Sequence, residues 1–181
     1  MILPEPNVHG NHQLYNISTS IAASRKIFNI RDKDVINGIQ NISLKGRLEE
    51  IKSGKLKAIA GNNRLIIDGG HNISASMSIA NWVKNQNDEV NLIVGMMKDK
   101  EHVEFIKSFQ NIVNSITLID IPNQDGAISK EDFRKKLDNL KLNLKLSNGI
   151  EESIKSLSKN QNSIILCLGS LYLAGEILSL N

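Results

Sequence analysis

One cysteine among 181 residues excludes an internal disulfide framework and any metal site built on several thiolates. That residue, Cys167, lies inside the apolar run 164–168, where a small buried hydrophobe is expected. Aromatic residues make up only 4% of the chain, so its core must rest on Ile, Leu, Val and Met. A large excess of either charge is lacking too: 22 Lys and Arg against 19 Asp and Glu leave a net charge of +3. No dense basic block with interleaved aromatics stands out, so a nucleic-acid partner is not expected. The N-terminus carries no basic stretch followed by an apolar one, and no secretory signal is read there. The apolar stretch 163–180 is broken by Gly169, Ser170, Gly175 and Glu176, which splits it into strand, turn and helix rather than a membrane span. A cytoplasmic protein without membrane partners is expected.

Several signatures are absent. No Gly-x-Gly-x-x-Gly follows a strand, no Gly-x-x-x-x-Gly-Lys-Ser/Thr occurs, and no Gly-x-Ser-x-Gly occurs. These absences disfavour a nicotinamide-binding fold, a P-loop within these residues and the usual hydrolase elbow. The four histidines, His9, His12, His71 and His102, have no zinc-site spacing.

What is present is alternation. The spacing of Leu14, Ile17, Ile21 and Phe28 predicts a helix over 12–28, and a shorter one follows over 32–42 with Asp32 as N-cap. Two such helices cannot enclose a core alone. From Gly46 the pattern changes. Segments 47–52 and 55–60 predict a hairpin around Ser53-Gly54. Strands are then predicted at 65–67, 91–97, 116–121, 142–146 and 163–168. Helices are predicted at 72–84, 101–112, 130–140, 150–159 and 171–180, the first with Ile73, Met77, Ala80 and Trp82 among its apolar positions. Strands alternating with helices predict an α/β fold: a mostly parallel sheet with helices on both faces. Continuous apolar strands fit that burial.

In such sheets ligands sit beyond the carboxyl ends of the strands. Three predicted ends carry chemistry: 68–72 (Asp-Gly-Gly-His-Asn), 95–100 (Gly-Met-Met-Lys-Asp-Lys) and Gly169-Ser170. In the first, the glycines allow a tight turn and close backbone approach to a ligand. Asp68 can accept ribose hydroxyls or hold a metal's water, His71 can donate to a phosphate, and the helix start after Asn72 favours an anion. The plain alternative, a turn followed by an N-cap, is equally compatible with that string. For Lys98-Asp99-Lys100 the plain reading is a solvated turn, and for Ser170 an N-cap. The functional reading gains from all three falling on one edge.

Four strings then occur in order: 10–16 (GNHQLYN), 46–49 (GRLE), 65–72 (LIIDGGHN) and 169–176 (GSLYLAGE). In that order, and with Asp99-Lys100 after a strand, the chain resembles the folylpolyglutamate and dihydrofolate synthases of the Mur ligase superfamily. The resemblance runs over essentially the whole chain. One departure is Ile73, where many relatives have proline. The resemblance implies a Rossmann-like C-terminal domain over 46–181, preceded by the helical tail of a central ATP-binding domain over 1–45. It also implies ATP and Mg2+ as cofactors, with the P-loop and main magnesium ligands upstream, and glutamate plus folate or dihydropteroate as substrates. By the same resemblance Asn16 reads the adenine edge, Arg47 reaches ATP phosphates and Asp68 contacts ribose or phosphate-side groups. His71 assists at the phosphates or the incoming amine, and Ser170 helps hold the glutamate carboxylate. Arg47, Asp68 and His71 are accordingly expected to act in a closed cleft rather than in folding. The competing readings are a non-catalytic split or truncated binding module, with the missing N-terminal half as a partner, and an unrelated nucleotide-binding α/β protein.

Overall fold

The apolar runs become the interior of one sheet. The computed structural model describes residues 3–6, 8, 11–159 and 162–181. Its strands are β1 (Glu49–Ile51), β2 (Arg64–Asp68), β3 (Val90–Val94), β4 (Ser115–Leu118), β5 (Leu144–Leu146) and β6 (Ile164–Leu168). They lie in the order β1-β2-β6-β3-β4-β5, parallel throughout except for the antiparallel β1–β2 edge pair. Every residue of β3 and β6 is buried, as strands covered on both faces must be.

Helices cover both faces. One is covered by α4 (Ile73–Lys84), α5 (His102–Lys107) and α6 (Lys130–Lys136), whose Ile79, Val83, Phe105 and Phe133, with Phe109 just after α5, pack on Ile66, Leu92, Val94 and Leu166. The other is covered by α3 (Lys55–Ala60), α7 (Ile150–Leu157) and α8 (Leu171–Leu180), whose Leu56, Ile154, Leu173 and Ile177 pack on Leu65, Ile67, Ile93 and Ile165. Successive residues along each strand serve opposite faces. Cys167 joins the second cluster, and burial pushes its thiol pKa up to about 12, so it is a neutral core residue. The fold is therefore the expected α/β, mostly parallel sheet.

Before the sheet come α1 (Asn11–Ile27) and α2 (Asp32–Gln40). Neither sheet-face cluster includes a residue of these helices. Val35 and Ile39 of α2 are buried, but Leu14 is 47% and Phe28 63% exposed. Gly10 of the first string, like His9, lies outside the described residues. Among the described residues no helix is long and apolar enough to cross a membrane, and 164–180 divides into β6 and α8.

Three expectations are corrected. The predicted hairpin is not formed: 55–60 is helix α3, and β1 pairs with β2 instead. Lys, Leu and Ala are good helix formers, and only Leu56 and Ala60, four residues apart, need cover. The start of α3 is capped from far away: the Asn181 side-chain carbonyl accepts from the amides of Leu56 (3.0 Å) and Lys57 (3.3 Å), and its backbone carbonyl from Lys55 (3.1 Å). Second, α4 buries Ser76, Ile79, Ala80 and Val83, while Ile73 and Met77 face outward. Third, the N-cap of α2 is Arg31, whose backbone amide donates to Asp34.

Candidate functional site

Parallel register brings the loaded strand ends together. Asp68 and Val94 both pair with Leu168, so β2, β6 and β3 stop at one level. Their exit loops are cross-linked: the Gly169 amide donates to Gly70 (3.1 Å) and the Gly95 amide to Leu168 (3.3 Å). After β2 the chain leaves into α4 on one face, and after β6 into α8 on the other. Divergence of this kind opens a crevice at the carboxyl edge, where α/β sheets bind ligands.

Asp68 is the last residue of β2 and is buried, its side chain 8% exposed. Oδ1 accepts from the Gly70 amide (2.6 Å) and Oδ2 from the Leu48 amide (2.9 Å). The expectation that it has no part in folding is therefore wrong: its charge satisfies backbone donors inside the protein. Arg47 stands opposite, Nη1 4.0 Å from Asp68 Oδ1, with its side chain 39% exposed. Its guanidinium lies along Gly69, 3.3 Å from where a Cβ there would be. The glycines prove to be packing requirements. A Cβ on Gly69 would lie 2.2 Å from Leu171 Cδ2, and one on Gly70 would lie 2.9 Å from Ala75 Cβ.

His71 is half-buried, with Nδ1 2.9 Å from the Gly69 carbonyl oxygen. A carbonyl only accepts, so Nδ1 carries a proton, and in the neutral tautomer Nε2 then holds the acceptor lone pair. Asn72 caps α4 as predicted, its Oδ1 accepting from the Ala75 amide at 2.9 Å. Asp99 is held below the usual carboxylate range, first by its bond to the Lys100 ammonium (2.8 Å), with His71 adding a smaller attraction. The loop carrying it is held too. Lys98 N–H donates to Gly126 (2.8 Å), Met97 bridges Ala127, and His102 Nε2 lies 3.0 Å from the Met97 carbonyl oxygen.

Ser170 is 2% exposed, and its hydroxyl caps α8 by accepting from the Tyr172 amide at 3.1 Å. Asn16 is not brought to this edge by any hydrogen bond found among the described residues. It is exposed on α1 and donates to Gln13 Oε1 on the same helix (3.3 Å).

These positions can be set against known proteins. Residues 53–180 match the family described as dihydrofolate synthetase, C-terminal domain. The chain belongs to this family. It is 24% identical over 189 residues to the dihydrofolate synthase/folylpolyglutamate synthase of Buchnera aphidicola, covering 96% of this chain and 42% of that protein. The fold matches Mycobacterium tuberculosis folylpolyglutamate synthase, solved with ADP and AMPPCP, at a TM-score of 0.82, 17% identity, and 97% and 41% coverage of the two chains. It also matches the Yersinia pestis bifunctional folylpolyglutamate synthase/dihydrofolate synthase complexed with AMPPNP and Mn ion, at a TM-score of 0.78, 19% identity, and 98% and 40% coverage. The chain thus spans about two fifths of the length of these relatives.

Just ahead of the matched residues, Leu48 and Glu49 have roles that sequence reasoning missed. Glu49 Oε2 accepts from the Gly46 amide (2.8 Å) while Oε1 pairs with Lys45 (2.9 Å), which closes the turn that carries Arg47. The acidic residue two positions after Arg47 was the available signal.

Proposed function

We propose that this chain is the C-terminal part of an ATP-dependent ligase that adds glutamate to folate or dihydropteroate. The observation that carries the reading is the convergence of Arg47, Asp68 and His71 at the carboxyl edge of the sheet, in a chain whose residues 53–180 match the dihydrofolate synthetase C-terminal domain. Residues 1–45 would then be the tail of the central ATP-binding domain and 46–181 the C-terminal domain. The exposed Leu14 of α1 and Phe28 just after it support that division, because a helix belonging to another domain lacks its partner here.

The reaction read from the family is carboxylate activation. The folate carboxylate attacks the γ-phosphate of ATP, giving an acyl phosphate and ADP. The glutamate amine then attacks the acyl carbon, and inorganic phosphate leaves. Catalysis of this kind rests on positioning and charge neutralisation. The Arg47 guanidinium supplies positive charge toward the phosphates. His71 Nε2 takes a proton from the incoming ammonium, so that the amine attacks with a free lone pair. Asp68 serves the nucleotide side of the site, and Asn16 the adenine edge once α1 is seated in its own domain. Ser170 serves the glutamate carboxylate. Its hydroxyl still has a proton to donate after capping α8, but its burial means the surrounding loops must part to let it do so.

Magnesium would assist by screening phosphate charge. Among the described residues no group of three or more His, Cys, Asp or Glu could hold a metal. Both Asp68 oxygens already accept backbone amides. These residues therefore do not fit a magnesium centre, and no step is assigned to the ion here.

The reading is tested by phosphate release. The purified 181-residue chain contains no P-loop string and should release no phosphate from ATP with folate and glutamate. Joined to a P-loop-bearing N-terminal half of the family, it should release phosphate only when both co-substrates are present. Release by the chain alone, or no release after joining, contradicts it.

A further inference from the structure

The turn that carries Arg47 has a backbone that needs holding. Gly46 has φ 63° and Leu48 φ 44°, so a leucine sits in the left-handed region. L side chains avoid that region because Cβ crowds the following carbonyl. Three hydrogen bonds fix the turn. Gly46 N–H donates to Glu49 Oε2 (2.8 Å), Gly69 N–H donates to the Gly46 carbonyl (2.8 Å), and Leu48 N–H donates to Asp68 Oδ2 (2.9 Å). The other Asp68 oxygen accepts from Gly70 N–H at 2.6 Å. One buried carboxylate therefore binds the turn with one oxygen and the β2 exit loop with the other. Hydrogen bonds to an ionised acceptor are the stronger kind, and burial keeps water from replacing them. Arg47 lies between the two turn residues that are tied to the β2 end, and its guanidinium rests on Gly69.

We propose that Asp68 is a positioning residue whose carboxylate ties residues 46–48 to the end of β2 and thereby sets where Arg47 is presented. That Arg47 then meets a phosphate rests on the proposed function; the tie itself does not. A carboxylate suits the task because it accepts on both oxygens. Asparagine offers one carbonyl and an NH2 group, so in Asp68→Asn one of the two amides must face another donor. A residue needed only to touch ribose hydroxyls could be replaced without loosening the turn.

The test uses the 15N-labelled chain without nucleotide, so it succeeds or fails independently of any ligase activity. In the wild type, the Leu48 and Gly70 amides should be protected from hydrogen exchange. In Asp68→Asn, one of them should exchange about 10-fold faster or more, the scale set by loss of one hydrogen bond. In Asp68→Ala both should. The Arg47 amide order parameter should fall from about 0.85 toward 0.6, while Ile66 and Leu166 keep their protection. An unprotected Leu48 amide in the wild type overturns the proposal, and that measurement stands even if a variant does not fold. So does an Asp68→Asn chain in which Leu48, Gly70 and Arg47 behave as before, or one in which exchange quickens uniformly across β2 and β6.

Discussion

Arg47→Ala and His71→Ala should each lower turnover on the order of 100-fold or more in the joined ligase, and neither should unfold the protein. The size follows from losing a positioned electrostatic contact where charge develops. The small structural cost follows from the surroundings. The Arg47 side chain is 39% exposed, and its nearest carboxylate oxygen, 4.0 Å away, already holds an amide. His71 contributes one hydrogen bond, to Gly69, at the rim of the edge. Stability should therefore stay within about 1 kcal/mol of the wild type, the scale of surface changes. Melting curves beside ligase kinetics check this. Variants that melt early yet turn over normally would make these residues structural.

Gly169→Ala should have the largest effect on stability of any single methyl added at the carboxyl edge. Gly169 has φ 110°, where an L residue is strained, and its added Cβ would lie 2.7 Å from the Gly95 carbonyl oxygen. That contact is backbone on backbone and cannot be relieved by a rotamer change. Strain and overpacking together predict a loss on the order of 3 kcal/mol. By contrast, Gly175 lies within α8 with nothing within 4 Å of a new Cβ. Gly175→Ala should stabilise by about 0.5–1 kcal/mol through helix propensity. Urea unfolding of the two variants measures both. A Gly169→Ala chain as stable as the wild type would mean that β3 and β6 do not approach as closely as described.

Much of this edge was legible in the sequence because strands and their ends leave local marks. The runs ending at Asp68, Val94 and Leu168 are largely apolar and are each followed by glycine, which is how a parallel strand buried on both faces and its exit turn read. That they share one edge followed from α/β topology. The insertion of β6 between β2 and β3 left no local mark, because strand order is decided by which faces find partners. The start of α3 was misread for a similar reason. Its cap, Asn181, lies over 120 residues away in sequence, so Ser53-Gly54 looked like a hairpin turn. On α4, the residues taken as apolar cover included two that face outward, while a serine took a buried place. Ser76 is fully buried because its hydroxyl meets Ser108 Oγ (2.8 Å) and the Ile73 carbonyl (2.8 Å).

The site shows the same division. His71 was read at the end of a strand, and it follows β2 directly, whereas the approach of Arg47 to Asp68 was not read from its string. The burial of Asp68 could not be read, because the Leu48 amide that draws the carboxylate inward is 20 residues distant. Nor could the reason for Gly69 be read. A glycine beside an aspartate suggests room for a ligand, yet here the space is filled by Leu171 of α8. Ser170 was legible both as a cap and as a binding group, and the geometry displays the cap.

Whether this sheet edge completes a glutamate ligase is read from product mass. The chain joined to a P-loop-bearing half of the family is incubated with ATP, Mg2+, glutamate and either dihydropteroate or a reduced folate, and the pterin products are weighed by mass spectrometry. The expected product is a species heavier than the starting pterin by one glutamate residue, dependent on both ATP and glutamate and sharply reduced in Arg47→Ala. A folded, joined protein that binds nucleotide yet yields no glutamylated product from either pterin would contradict it.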